Sequence, residues 1–282
     1  MKRVVITGEP IQVGAEYTSK GNQKKWCQDG YWYKANQFGY EDLAESLCAE
    51  LLRRAIPDMK QKPLADITVY ESIEIEADGE RYRGCRSVDF SREEWQLMPI
   101  ERLYRAYNGE SAAAALARIA DVKTRIAYLV DFVSRVTGLE NFGAYMTLML
   151  EMDAFFLNED RHLNNIAVLW NADTDEYDYC PYFDMGLSLF SDTREEFPLE
   201  LDYEVCREKI QSKPFARDYD AQLDAAQELY GYYLQFPWGV TEMRKIAEDF
   251  FYLHPEVERK IAKRVTETLV QQARKYGYMF ER

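Results

Sequence analysis

Short alternating stretches punctuated by one helical stretch fill the first ninety residues. Trp26-Cys27 and the run from Gly30 to Ala35 carry aromatic and apolar side chains at strand spacing, with Asp29-Gly30 between them as a hairpin turn. The run from Ile67 to Ile75 alternates in the same way, and Asp78-Gly79 separates it from a further strand reaching Arg86. Between these pairs, Leu43, Leu47 and Leu51, with Cys48 and Leu52, recur at helical spacing and predict a helix over 41–55, ended by Pro57. Beyond Ser91 the period becomes mainly helical. Leu116, Ile119, Val122, Ile126, Leu129 and Val133 predict one helix over 111–137 with Gly138 at its C-cap. The run 141–157 is apolar all round, as in a buried helix, and 221–234, 241–253 and 255–276 are expected to be helical. Two strand-like runs, 166–170 and 177–183, flank the turn Asn171-Ala172-Asp173. The pattern predicts an α+β protein of two lobes: a small β-rich lobe with one helix over 1–90, and a larger, mainly helical lobe over 91–282 carrying a short hairpin.

Composition narrows the function more than the fold. The 282 residues are 47% hydrophobic and 14% aromatic, enough for a sizeable core. The net charge of −14 repels phosphate backbones and anionic membranes, so nucleic acid is not an expected partner. Five scattered cysteines, Cys27, Cys48, Cys85, Cys180 and Cys206, suggest neither a disulfide framework nor a zinc site. The start has no signal-peptide pattern, and the longest apolar run is interrupted by Glu151 and Asp153, so no membrane span is expected. A cytoplasmic protein is the expectation, with signal-less export as an effector left open. His162 and His254 are the only histidines, which removes most triad and metal-hydrolase chemistry.

The chemistry concentrates in Asn158-Glu159-Asp160-Arg161-His162-Leu163-Asn164-Asn165, placed after the buried helix and before the hairpin, whose far end is Tyr182-Phe183-Asp184-Met185-Gly186. Phosphoryl transfer asks for a carboxylate to orient the attacking hydroxyl and hard oxygens to hold Mg²⁺ on the phosphates. An Asp followed five residues later by an Asn, with a second Asp at the end of the returning strand, supplies those groups in Asp160, Asn165 and Asp184.

That motif, Asn-x-Asp-Arg-His-x-x-Asn followed by Phe-Asp-x-Gly, resembles the HipA-like serine/threonine kinases. The resemblance extends from about Thr18 to Phe215. Thr18-Ser19-Lys20-Gly21-Asn22-Gln23-Lys24-Lys25-Trp26 looks like the phosphate-covering loop of the family's shorter branch, and Trp32-Tyr33-Lys34-Ala35 like the strand with the phosphate-pairing lysine. Glu45-Ser46-Leu47-Cys48 resembles the start of the following helix, and Lys213-Pro214-Phe215 a later family element. The resemblance implies ATP and Mg²⁺ as cofactors and a serine or threonine of a protein as substrate. Asp160 would be the catalytic base, Asn165 and Asp184 the metal ligands, and Lys34 the partner of the α- and β-phosphates, held by Glu45. Glu50 lies on the other edge of the same apolar stripe, and spacing alone does not choose between the two.

In the loop, Ser19 and Gly21 are expected near the phosphates together with one of Lys20, Lys24 and Lys25, the expectation falling on Lys24. Ser19 is also a candidate for autophosphorylation. Ser87, Val88, Asp89 and Phe90 are expected to link the lobes and face the adenine. His162 is expected to pack beneath the loop and hydrogen-bond its backbone, and Arg161 to steady carboxylates or carbonyls. The phosphate loop is not a Gly-x-Gly-x-x-Gly, and the extra N-terminal subdomain of longer relatives is not expected, so an antitoxin-type DNA-binding partner is not expected either. Phosphoinositide kinases share Asp-Arg-His-x-x-Asn, so a lipid or small-molecule kinase stands as an alternative reading, as does a non-catalytic nucleotide-binding scaffold.

Overall fold

The computed structural model describes residues 1–11, 23–56, 59–91 and 94–281. A five-stranded sheet is ordered β1 (Lys2–Ile6), β4 (Tyr70–Ala77), β5 (Glu80–Val88), β3 (Tyr31–Ala35), β2 (Lys25–Gln28). Asp29 and Gly30 both have positive φ, as the two-residue turn between β2 and β3 demands, and Asp78 and Gly79 do the same between β4 and β5. β1 pairs with β4 in parallel; its half-exposed Val4 and exposed Val5 carry little periodic signal, which is why the pattern alone misses it.

Helix α1 (Glu41–Ala55) packs on this sheet. Its start is fixed by carboxylates rather than by a hydroxyl cap. Glu41 Oε1 accepts from the N–H groups of Gln37 and Phe38, both at 2.6 Å, and Oε2 from that of Gly39 at 2.7 Å. Buried Asp42 is held by Asn36 at 2.5 Å and Arg83 at 3.0 Å. The turn from β3 into α1 is thereby pinned by buried, charge-assisted bonds.

The larger helical part holds α2 (Ile100–Asn108), α3 (Ala112–Ala117), α4 (Val122–Thr137), α5 (Phe142–Phe156), α6 (Tyr203–Lys209), α7 (Tyr219–Tyr230), α8 (Val240–Leu253) and α9 (Arg259–Lys275). The single helix expected over 111–137 is two. Asp121 caps a fresh start by accepting from Thr124 N–H at 2.8 Å, while Ser111 caps α3 through Ala114. Gly138 closes α4 with φ 76°. Three strands, β6 (Trp95–Pro99), β7 (Ala167–Asn171) and β8 (Glu176–Tyr179), form a second sheet in that order. β8 stops before Cys180, and Tyr182 instead bridges to Ile67, leaving Asp184 outside the ladder.

α5 is the axis of the core. Every residue in it except Ala144 is buried, so each polar side chain must find a partner inside. Glu151 accepts from Gln227 at 2.8 Å and from the N–H groups of Tyr233 and Leu234 at 3.1 and 2.6 Å, while Asp153 faces the loop that follows.

Candidate active site

Leu157 ends α5 in the left-handed region, φ 56°, and turns the chain sharply into the loop 158–165. Asn158, buried, donates to Asp153 Oδ1 at 2.9 Å and accepts from Asp160 N–H at 3.1 Å. Arg161 is the loop's anchor. Its guanidinium meets Asp153 through Nε at 2.9 Å and reaches the carbonyls of Asn165 and Phe183 at 2.9 and 2.8 Å. Burial lifts the Asp153 carboxyl and would lower Arg161, but the pair opposes both changes. Arg161 thus ties the loop to the strand end that carries Asp184, the steadying role expected of it.

Lys34 occupies the centre of the second cluster. Its ammonium stands 2.8 Å from Glu45 Oε1 and 2.8 Å from Asp184 Oδ1, over the ring of Tyr70 at 5.1 Å. Glu50 instead pairs with Arg53 and Arg54 on the outside of α1. Glu45 Oε2 accepts from Met185 N–H at 2.8 Å, so the helix carboxylate also fixes the backbone beside Asp184. Burial would lower the Lys34 ammonium, but Asp184 and Glu45 outweigh it and hold its pKa well above the ordinary lysine value. Burial would raise Asp184; Lys34 and Lys25 overrule it and hold the carboxyl far below the usual range. Glu45 is pushed up by burial, against the pull of Lys34.

Side chains alternate along a strand, and this decides between neighbouring lysines. Lys24 turns outward, 2.5 Å from the Tyr82 hydroxyl and near Glu80. Lys25, directly opposite Lys34 in the β2–β3 pair, turns inward. Burial lowers its pKa, and Asp184, Glu45 and Asp160 are the anions that raise it again. The inward lysine is therefore Lys25, not Lys24.

Asp160 Oδ1 accepts from Lys213 Nζ at 3.0 Å, and its Oδ2 lies 3.7 Å from His162 Nε2. Lys213 belongs to the loop between α6 and α7, and its meeting with Asp160 lies beyond what sequence reading brought together; the Lys-Pro-Phe tripeptide was its only signal. His162 departs from expectation, since its buried Nδ1 has no hydrogen-bond partner among the described residues, and burial lowers its pKa. Asn165 donates its amide N–H to Asp160 O at 3.0 Å, which leaves the amide oxygen as acceptor.

Among the described residues no three His, Cys, Asp or Glu side chains gather as a metal cage. A fit to Mg²⁺ does not need one. This ion keeps several waters and takes one or two protein oxygens beside phosphate oxygens. The Asp184 carboxylate, kept ionised, and the oriented Asn165 amide are donors of that type.

Ser19 and Gly21 lie outside the described residues. Ser87 and Val88 end β5, with Ser87 buried and Val88 exposed. Asp89 N–H donates to Gly30 O at 2.8 Å, so that group is engaged within the protein. Phe90 packs against Phe183, ring centroids 5.8 Å apart, one residue from Asp184. The segment after Asp184 is fastened to the β3–α1 turn by main chain: Tyr40 N–H to Ser191 O at 3.2 Å, Arg194 N–H to Phe38 O at 3.0 Å, and a bridge between Gly39 and Asp192. A Cβ on Gly39 would come within 2.1 Å of Ser191 O, so only glycine fits this approach.

No family model matches the chain, and no curated protein matches it. Solved structures do. The Helicobacter pylori proinflammatory kinase CtkA is similar over 96% of this chain and 95% of its own, with a TM-score of 0.59 at 12% identity. HipA of the Shewanella oneidensis MR-1 toxin–antitoxin system, in a complex with HipB and operator DNA, is similar over 96% of this chain and 66% of its own, with a TM-score of 0.49 at 12% identity. The chain has the α+β kinase-like fold of CtkA. No helix among the described residues is long and apolar enough to cross a membrane.

Proposed function

We propose that this chain is an ATP- and Mg²⁺-dependent serine/threonine protein kinase of HipA-like type, with its lobes divided near residue 90. The observation that carries the reading is Lys34 clamped at 2.8 Å by both Glu45 and Asp184, three residues from distant segments brought to one point. A lysine only 12% exposed and shared by two carboxylates is costly to assemble for stability alone. It makes sense where the ammonium must pair with nucleotide phosphates and one carboxylate must stay ionised.

In this reading Lys34 binds the α- and β-phosphates, Glu45 fixes its position, and Lys25 adds positive charge from the neighbouring strand. Phe90 and Phe183 form an apolar wall towards the adenine. Asp160 receives the proton of the substrate hydroxyl as its oxygen attacks the γ-phosphorus. The bond to the bridging oxygen breaks, and its electron pair leaves with ADP. Asn165 and Asp184 would hold Mg²⁺, which when bound neutralises phosphate charge. A serine or threonine of a protein is the substrate favoured by the net charge of −14, which repels anionic lipid surfaces. Autophosphorylation at Ser19 belongs to the same proposal.

Intact mass after incubation with Mg²⁺ and ATP, with a basic protein substrate and the Asp160→Ala variant alongside, tests the reading. Phosphate added by the wild type and not by the variant is the expected outcome. ATP binding without transfer to either protein would reject it in favour of a lipid or small-molecule substrate.

A further inference from the structure

The charge around Asp160 presents a problem that the groups named so far do not solve. A carboxylate that orients a hydroxyl towards a phosphoryl group repels the phosphoryl oxygens, and the repulsion is strong in a cleft shielded from water. Among the described residues the other cations nearby have tasks of their own. Arg161 is taken up by Asp153 and two carbonyls, Lys34 is held between Glu45 and Asp184, and Lys25 sits opposite Lys34 in the β2–β3 pair. His162 faces the other oxygen of Asp160, with Nε2 3.7 Å from Oδ2. The two loop positions that follow are Leu163 and Asn164, neither of them cationic.

We propose that Lys213, from the α6–α7 loop, is the residue that spans Asp160 and the transferred phosphoryl group; this rests on the kinase reading above. Its ammonium has three donors, and among the described residues Asp160 Oδ1, at 3.0 Å, is its one partner. The side chain remains 38% exposed, so the rest of the head is open to a second anion.

The mounting of this lysine is firmer than an exposed loop needs. Gln222 of α7, fully buried, donates to Lys213 O at 3.0 Å and accepts from the N–H groups of Phe215 and Ala216, both at 3.3 Å. Ser212 closes the other side, donating its N–H to Arg217 O at 2.9 Å and its hydroxyl to Ala216 O at 2.8 Å. Arg125 of α4 reaches Phe215 O at 2.6 Å. Two helices thus fix the backbone beside a single lysine, and that lysine points at the proposed base. Held this way, the ammonium keeps Asp160 in one rotamer and offers a donor to the γ-phosphate oxygen beside it, where negative charge must be stabilised as transfer proceeds.

The test compares full-length wild type, Lys213→Met and Lys213→Arg in steady-state phosphorylation of a basic protein with Mg²⁺-ATP, each also assayed for binding of a fluorescent ATP analogue. Lys213→Met is expected to lower kcat on the order of 10²-fold, with KM for ATP changed by less than about threefold, and Lys213→Arg to recover most of the loss. If Lys213→Met does not melt like the wild type, Lys213→Gln carries the same comparison, with a donor retained and the charge removed. Variant turnover equal to or above that of an active wild type would overturn the proposal alone and make the contact a plug on Asp160. A wild type that binds the analogue but transfers nothing would overturn the kinase reading and this proposal together.

Discussion

Two lysine- or arginine-centred clusters lie close together in this molecule, and they are built to opposite ends. Around Arg161 everything is sealed: the side chains of Arg161 and Asp153 are 1% and 0% exposed, and the donors not spent on Asp153 go to two carbonyls and the Met185 sulfur. Around Lys34 the same kind of charge pairing stays partly open, with the side chains of Lys34 and Asp184 12% and 20% exposed. A rigid, planar guanidinium suits a joint that must never change; a compact ammonium suits a contact that accepts a new anion. Burial and pairing alone would mark both clusters as functional. The exposed remainder of each cluster separates a joint from a site.

The largest effect should come from the open cluster's neighbour. Asp160→Ala, which removes the proposed base, is expected to cut phosphate transfer about 10²–10⁴-fold while the unfolding midpoint stays near that of the wild type. Arg161→Ala should do the reverse. It leaves Asp153 buried without its cation and is expected to cost about 3–5 kcal/mol in urea unfolding, with residual transfer tracking the folded fraction. An Arg161→Ala variant that lost activity at full stability would erase the contrast between the clusters.

Two glutamates of one helix sharpen it further. Glu45→Gln weakens the grip on Lys34 and should reduce transfer strongly, whereas Glu50→Gln removes only partly exposed ion pairs with Arg53 and Arg54. The latter is expected to cost about 0.3–0.5 kcal/mol and leave turnover unchanged. The smallest effect concerns pH. Burial holds the folded-state pKa of His162 below its ordinary 6.5, so the unfolded chain binds its proton first. Stability should therefore decline as pH falls below 6.5 towards the lowered value, and His162→Gln should flatten that part of a chemical-denaturation series.

The loop 158–165 and Asp184 were legible because their meaning lies in short-range spacing: Asp and Asn five residues apart, then an aspartate on a strand's return. The helix holding Glu45 was legible through its leucines, but the choice against Glu50 needed the third dimension, since both edges of the stripe satisfy the same period. Lys213 was not legible as a neighbour of Asp160, because 53 positions separate them and no periodicity spans the interval. Lys24 and Lys25 differ only in strand parity, and parity is fixed by the pairing of Lys25 with Lys34. The break between α3 and α4 did leave a signal: an aspartate three residues ahead of Thr124 is a helix start, overlooked because the apolar period runs through it.

The fastening of the segment after Gly186 to the β3–α1 turn bears on how far such a chain can drift. Hydrogen bonds between backbones do not read side chains, so Phe38, Ser191 and Arg194 can be exchanged without losing the bonds their main-chain groups make. Only Gly39 is barred, by the 2.1 Å approach that a Cβ would force. A joint made this way is nearly blind to sequence, and it offers a physical route by which a chain only 12% identical to CtkA keeps its architecture over 96% of its length.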